Sequence, residues 1–212
     1  MKICYNRGMK IKLFVDFDKT IFDTSQVKER LAQIFSQLGF SQGEITQSYL
    51  AESLDGKFSP EGQAKRLNRI RPYNLKVAEL KIKSMIFDSN KFLYSDTIDF
   101  LNSLDREKYE VDLLSYGDED FQTRKVKRSG VIDKFENIYI TNIEKQIYIK
   151  DIVSLDDYFI VIDDGTENLE KISKVFHKAF MINIIRNTEN VDRGYHFKGV
   201  KVRNLKQAAQ YL

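Results

Sequence analysis

One stretch, IKLFVDFDKT at residues 11–20, decides the fold of this chain. Its first five residues are apolar or β-branched apart from Lys12, and this predicts a short buried strand that ends at Asp16. Strand alternation would then point the side chains of Asp16 and Asp18 the same way from the carboxyl edge. Two carboxylates at that place can bind a hard cation or share nucleophilic and acid-base work, although aspartates after a strand also cap ordinary turns.

Four later apolar runs repeat the pattern of this first strand, and helical patterns separate them. The runs are 109–114, 137–140, 158–162 and 180–185. Ser95 and Asp118 are candidate caps of two of the helices, Gly130 ends the second, and 144–153 and 166–176 have helical spacing. Strands that alternate with helices predict an α/β fold with a mostly parallel sheet and helices on both faces.

Residues 25–92 break the alternation, because every signal in them is helical. Ser41 and Glu44 form a capping-box pattern, and Ser59-Pro60 places proline at a first helical position. We predict an inserted helical domain at 25–92 and a core domain formed by 9–24 and 93–212. Both crossings would lie near the carboxyl end of the first strand, so the insertion would cover a site there.

Three further segments place reactive groups after predicted strands. Ser115 precedes Gly117 and can donate to a phosphate oxygen, although a plain strand exit explains it equally well. Asp163 and Asp164 follow four apolar residues, which indicates a cation that offsets their repulsion or else a helix cap. Lys145 begins a helix and can screen a phosphate, but lysines are abundant in this chain.

Composition limits the classes of protein that fit. The 212 residues carry a net charge of only +3, and no basic stripe is interleaved with aromatic residues, so we expect no nucleic-acid partner. Cys4 is the only cysteine, which excludes an intrachain disulfide. We see no signal peptide or membrane segment and expect a cytoplasmic protein, a monomer or homodimer, that does not bind membranes. Met9 stands just before the first strand, so residues 1–8 are a candidate extension.

Together the segments resemble the signatures of the haloacid dehalogenase (HAD) superfamily, in the same chain order. Asp16-x-Asp18-x-Thr20 resembles the first motif, and Ser115, Lys145 and Asp163-Asp164 resemble the second, third and fourth. The resemblance spans about residues 10–204 and implies a Rossmann-like three-layer α/β/α core with a helical cap of the first class.

The resemblance also implies a chemistry for these residues. Asp16 would attack phosphorus and Asp18 would act as the acid and base, while Thr20, Ser115 and Lys145 would bind the phosphate. Mg²⁺ would be held by Asp16, by Asp18 through its main-chain carbonyl, and by the pair at 163–164. Asp163 or Asn168 can instead orient a metal-bound water, and Lys125, Lys127 and Lys150 compete with Lys145 for its role.

These features predict a Mg²⁺-dependent phosphatase that acts on a small-molecule phosphate monoester through an aspartyl-phosphate. Haloalkanoate dehalogenases generally lack the second aspartate, since a leaving halide needs no proton, so Asp18 favours phosphoryl chemistry. A phosphotransferase or phosphomutase of the same fold remains an alternative. So does a regulatory protein that binds phosphate esters without catalysis.

Overall fold

A computed structural model describes residues 10–54, 57–186, 197 and 199–212, and the candidate extension before Met9 lies outside them. The strands are β1 (Ile11–Val15), β2 (Tyr109–Tyr116), β3 (Asn137–Thr141), β4 (Phe159–Asp163), β5 (Phe180–Ile184) and β6 (Gly199–Val202). They form one parallel sheet in the order β3-β2-β1-β4-β5-β6. The strand order reverses at β1, and the crevice at such a reversal is where open α/β sheets bind ligands.

Nine α-helices occur in the described residues. They are α1 (Thr24–Gln37), α2 (Gln42–Ser53), α3 (Pro60–Ile70), α4 (Leu75–Phe87), α5 (Thr97–Ser103), α6 (Glu119–Ser129), α7 (Lys145–Ile149), α8 (Thr166–Val175) and α9 (Leu205–Ala208). In these same ranges, no helix is both long and apolar enough to cross a membrane.

The sheet buries both of its faces, as its continuous apolar strands require. Leu13 and Val15 point to one face and pack in a cluster that includes side chains of α5, α6 and α9. Phe14 points to the other face and packs with side chains of α7 and α8. The predicted α/β class, a Rossmann-like three-layer core with a mostly parallel sheet, is confirmed.

In the chain, helices α1 to α4 follow β1 and precede β2. No strand of the sheet lies in the described part of 24–92. Ser41 and Glu44 make the predicted capping box, and the Ser59 hydroxyl accepts a hydrogen bond from the amide of Gly62. The segment that enters these helices and the segment that leaves them lie side by side. The amide of Asp23 in the first donates a hydrogen bond to the carbonyl of Phe92 in the second at 2.6 Å. The proposed domain boundaries at 24/25 and 92/93 remain a prediction.

Some predicted elements were wrong in detail. Helix α5 has Asp96, not Ser95, at its N-cap, and no side chain caps it because the Asp96 carboxylate is engaged by Arg186 and by the amide of Leu205. The helix predicted over 144–153 is only Lys145–Ile149, since the hydrogen bonds after it are mixed, with Asp151 and Ile152 donating three residues back and Val153 donating four residues back. Strand β6 was missed because it is a four-residue edge strand with one fully buried side chain.

Candidate active site

Asp16 leaves β1 at the carboxyl edge of the sheet. Its amide donates to the carbonyl of Ile162 at 2.9 Å, which fixes the turn against β4. The residue is 6% exposed, and its Oδ1 accepts a hydrogen bond from Nζ of Lys145 at 2.6 Å. Its Oδ2 is buried and has no hydrogen-bond partner among the described residues. A buried carboxylate oxygen is costly to leave unpaired, so this atom is placed to take a cation or a ligand.

Lys145 links Asp16 to the end of β4. It is the first residue of α7, and its buried Nζ also donates to Oδ2 of Asp163 at 2.6 Å. Burial lowers the pKa of Lys145, but the charges of Asp16 and Asp163 outweigh burial and raise the pKa overall. Lys145 is therefore a permanent cation between the two carboxylates.

Three carboxylates lie near Lys145, and the charge of Lys19 also acts on Asp164. Asp16, Asp163 and Asp164 each bring one oxygen into a group whose members lie within 4.8 Å of one another. Burial and the charge of Asp163 raise the pKa of Asp164 to about 7. Burial raises the pKa of Asp16 as well, against the charge of Lys145. The excess of negative charge favours the binding of a further positive charge.

The donor set fits Mg²⁺. Carboxylate oxygens are its preferred protein ligands, and Oδ2 of Asp16 is buried without a partner. The loop after β4 is also held in place, because Nδ2 of Asn183 donates to the carbonyls of Asp163 and Asp164 at 3.1 Å each. The two carboxylate oxygens of Asp163 accept hydrogen bonds from Lys145 and from the amide of Gly165. Among the described residues, none donates a hydrogen bond to the Asp164 carboxylate. This difference favours Asp164 as the direct ligand.

Asp18 does not share the surroundings of Asp16. Its carboxylate accepts hydrogen bonds from Lys125 at 2.6 and 2.8 Å, from the Thr24 hydroxyl at 2.5 Å and from Nε2 of Gln122 at 2.6 Å. The expectation that the two aspartates point the same way assumed strand geometry beyond Asp16. The strand in fact ends at Val15, and Lys19 has a φ of 59°, so the chain turns sharply there. Of Asp18, only the main-chain carbonyl remains a candidate metal ligand.

Gly117 lets Gln122 reach Asp18. The glycine has a φ of 151°, and a Cβ atom there would lie 2.8 Å from Nε2 of Gln122. Burial raises the pKa of Asp18, but the charge of Lys125 and the hydrogen bonds from Lys125, Thr24 and Gln122 lower the pKa below its usual value. These contacts favour the carboxylate form of Asp18.

The two predicted phosphate-binding hydroxyls lie in the turn after β1 and near the end of β2. Thr20 is fully buried, and its hydroxyl has no hydrogen-bond partner among the described residues, while Arg186 binds its carbonyl. Ser115 is buried near the carboxyl end of β2, beside the strand that carries Asp16. Their binding of phosphate remains a prediction.

Of the competing lysines, Lys145 alone contacts the acidic group formed by Asp16 and Asp163. Lys125 binds Asp18 instead, while Lys127 and Lys150 are exposed. The partnership of Lys125 and Gln122 with Asp18 was missed. A signal existed, because Phe121, Gln122 and Lys125 share the buried face of α6, and a buried lysine needs an acidic partner.

A cavity of about 170 Å³ opens beside Asp18, between the helical insertion and α6. Its walls include Val27 and Leu31 of α1, Tyr49 of α2, Phe58, and Phe121 of α6. We call this space the Asp18 cavity. Asp18 is among the residues that line it, whereas Asp16, Asp163 and Asp164 are not.

Comparison with known proteins agrees with this geometry. The sequence model of the haloacid dehalogenase-like hydrolase family matches residues 13–150. No curated protein sequence matches the chain. A haloacid dehalogenase-like hydrolase from Burkholderia xenovorans LB400 has a similar structure, with 19% identity, 95% of each chain covered and a TM-score of 0.75.

Two further solved structures have the same fold. The HAD-hydrolase YfnB of Bacillus subtilis, bound to magnesium, is 14% identical with a TM-score of 0.68, over 96% of this chain and 98% of that one. The L-2-haloacid dehalogenase of Xanthobacter autotrophicus with chloropropionic acid covalently bound is 12% identical with a TM-score of 0.61, over 95% and 98%. With its family motifs, its parallel sheet and its acidic centre, the chain belongs to the haloacid dehalogenase-like hydrolases.

Proposed function

We propose that the protein is a Mg²⁺-dependent phosphatase that hydrolyses a small-molecule phosphate monoester. One observation carries the proposal: Asp16 and Asp18 are held in different surroundings. Asp16 has a free buried oxygen within an acidic group, whereas Asp18 borders a cavity and is gripped by Lys125. A nucleophile and an acid-base residue need such separate positions.

The chain's own residues divide the work of hydrolysis in two steps. In the first, Oδ2 of Asp16 bonds to phosphorus, the bond from phosphorus to the ester oxygen breaks, and that oxygen takes the proton of the protonated form of Asp18, which Asp18 recovers in the second step. In the second, Asp18 takes a proton from water, the water oxygen bonds to phosphorus, and the bond from phosphorus to Asp16 breaks. Lys145 holds Asp16 in position throughout. Mg²⁺ bound by the acidic group would neutralise charge on the phosphate.

Dehalogenation is the second candidate, since a haloacid dehalogenase is among the structures with this fold. A halide leaves without a proton, so dehalogenation gives Asp18 no task and leaves its four hydrogen bonds unexplained. Phosphoryl transfer to a second substrate uses the same two aspartates. Product analysis in the presence of a sugar bisphosphate separates transfer from hydrolysis.

The test measures release of phosphate from a panel of phosphometabolites, and release of chloride from 2-chloropropionate, with and without Mg²⁺. Wild type is compared with Asp16→Asn and Asp18→Asn. We expect Mg²⁺-dependent phosphate release that Asp16→Asn abolishes and Asp18→Asn lowers by about 10²-fold or more. Chloride release without phosphate release would instead make the protein a dehalogenase. If folded wild type binds phosphate esters without turnover, the result supports the alternative of a regulatory protein without catalysis.

A further inference from the structure

The Asp18 cavity lies on the leaving-group side of the proposed reaction. Asp18 borders it, and the acid that protonates a leaving oxygen must contact that oxygen. The acidic group that would hold Mg²⁺ does not border it. A phosphate positioned at Asp16 would therefore direct the rest of its ester into this cavity, an argument that rests on the proposed function.

The size of the cavity limits what can enter. Its volume is about 170 Å³. An engineered apolar cavity of about 150 Å³ is known to hold one benzene molecule. One six-membered ring therefore fills the space, whereas a bicyclic group or a nucleoside does not fit without a change in the walls.

The walls are aromatic as well as apolar. The rings of Tyr49 and Phe58 are 4.9 Å apart, and those of Phe58 and Phe121 are 6.0 Å apart in an edge-to-face arrangement. Three aromatic side chains in a row can pack against both the face and the edge of an aromatic ring in the substrate. Phe58 stands in the middle of this aromatic wall.

Few polar groups at the cavity are free, namely Oε1 of Gln122, which is buried without a partner among the described residues, and the ammonium of Lys28 over the Tyr49 ring. Lys125, Gln122 and the Thr24 hydroxyl bind Asp18, and the Asp118 carboxylate caps α6. The hydroxyls of a sugar would lose their hydrogen bonds to water here without gaining enough partners, which is costly in a buried space. An apolar ring has no such cost.

We propose that the substrate is a phosphate monoester whose leaving group carries a single apolar ring, preferably an aromatic one, that fills the Asp18 cavity against Phe58. Tyr49, Leu31 and Lys28 separate this cavity from a second one, of about 160 Å³, inside the helical insertion. The wall they form sets the far limit of the ring.

The test compares esters of equal chemical reactivity. Benzyl phosphate and glucose 6-phosphate are both esters of primary alcohols, and glycerol 3-phosphate adds an acyclic reference. We expect kcat/KM for benzyl phosphate to exceed that for either other ester by at least about tenfold, as burial of one apolar ring allows. Equal or lower kcat/KM for benzyl phosphate overturns the inference while the phosphatase proposal stands. Absence of turnover on all three esters and on the wider panel overturns both.

A change of cavity size gives an independent result. Phe58→Ala should raise kcat/KM for 1-naphthylmethyl phosphate by about tenfold relative to benzyl phosphate, because it makes room for a second ring. Phe87→Ala is the matched control, since Phe87 is 62% exposed on α4 and does not border the cavity. Phe58→Leu, a smaller change, covers the case in which Phe58→Ala fails to fold. If both folded Phe58 variants keep the wild-type ratio of the two esters, the ring does not lie at Phe58 and the inference fails.

Discussion

Lys125 donates hydrogen bonds to both carboxylate oxygens of Asp18, at 2.6 and 2.8 Å. The ammonium group also lies 4.8 Å from the centre of the Phe121 ring, so it is largely removed from water. A charge pair in such surroundings interacts strongly. The pair therefore controls when the proposed acid-base residue carries a proton.

Lys125→Met should shift the pH dependence of catalysis. Burial alone raises the pKa of Asp18, and the charge of Lys125 reverses that effect, so removal of this charge should raise the pKa of Asp18. The apparent pKa that Asp18 contributes to the pH dependence of kcat/KM should therefore move to higher pH. Lys127→Met, an exposed change on the same helix, should leave the profile in place. An unchanged apparent pKa in folded Lys125→Met would contradict this role.

Arg124 and Glu61 connect the helical insertion to the core. Two parallel hydrogen bonds, at 2.7 and 3.0 Å, join the guanidinium of Arg124 on α6 to the carboxylate of Glu61 on α3. Both side chains are about one-third exposed, so we expect their coupling free energy to be about 0.5–1 kcal/mol.

A double-mutant cycle measures this coupling. Arg124→Ala and Glu61→Gln should each lower the free energy of unfolding, and the double variant should lose less than the sum of the two. Each should also raise KM more than it lowers kcat if the contact holds the insertion over the cavity. Asp120→Asn is the control, because Asp120 also contacts Arg124 but is 80% exposed. Additive losses in urea denaturation would show that the contact contributes nothing.

Arg186 holds the loop of the first motif against the core. Its Nε and Nη2 atoms donate to the carbonyl of Thr20 at 3.1 and 2.7 Å, and both terminal nitrogens donate to Asp96. Arg186→Met removes the charged partner of Asp96 and the donor to this carbonyl, so the free energy of unfolding should fall by about 3 kcal/mol. Arg186→Lys should restore only part of the loss, because an ammonium cannot make the same paired contacts. The exposed change Arg203→Met should cost little, and an equally small loss at Arg186 would refute the role.

The sequence predicted the parts of the site that follow strands. Asp16 and Asp163 stand at strand ends, and parallel strands bring their carboxyl ends to one edge, so local pattern was enough to place them together. The position of Lys145 at the start of α7 followed in the same way.

Contacts between elements distant in the chain could not be predicted so directly. The pairing of Asp18 with Lys125 depends on how α6 packs against the turn after β1, and the clamp of Arg186 on Thr20 depends on a loop that follows β5. The periodicity of the sequence within each element does not predict either contact. The aromatic wall of the Asp18 cavity likewise arises only when the insertion folds back over α6.

Mg²⁺ should stabilise the protein more at high pH than at low pH. The pKa of Asp164 is raised from 3.8 to about 7, so the folded state favours the proton and, without metal, loses stability as the pH rises through about 7. A bound cation replaces that proton and removes the penalty. The increase in Tm on adding Mg²⁺ should thus be larger at pH 8 than at pH 5.5, as differential scanning fluorimetry can measure. Asp164→Asn supplies the control, since it should flatten this difference, and an equal Mg²⁺ effect at both pH values in wild type would show that the cation does not bind through Asp164.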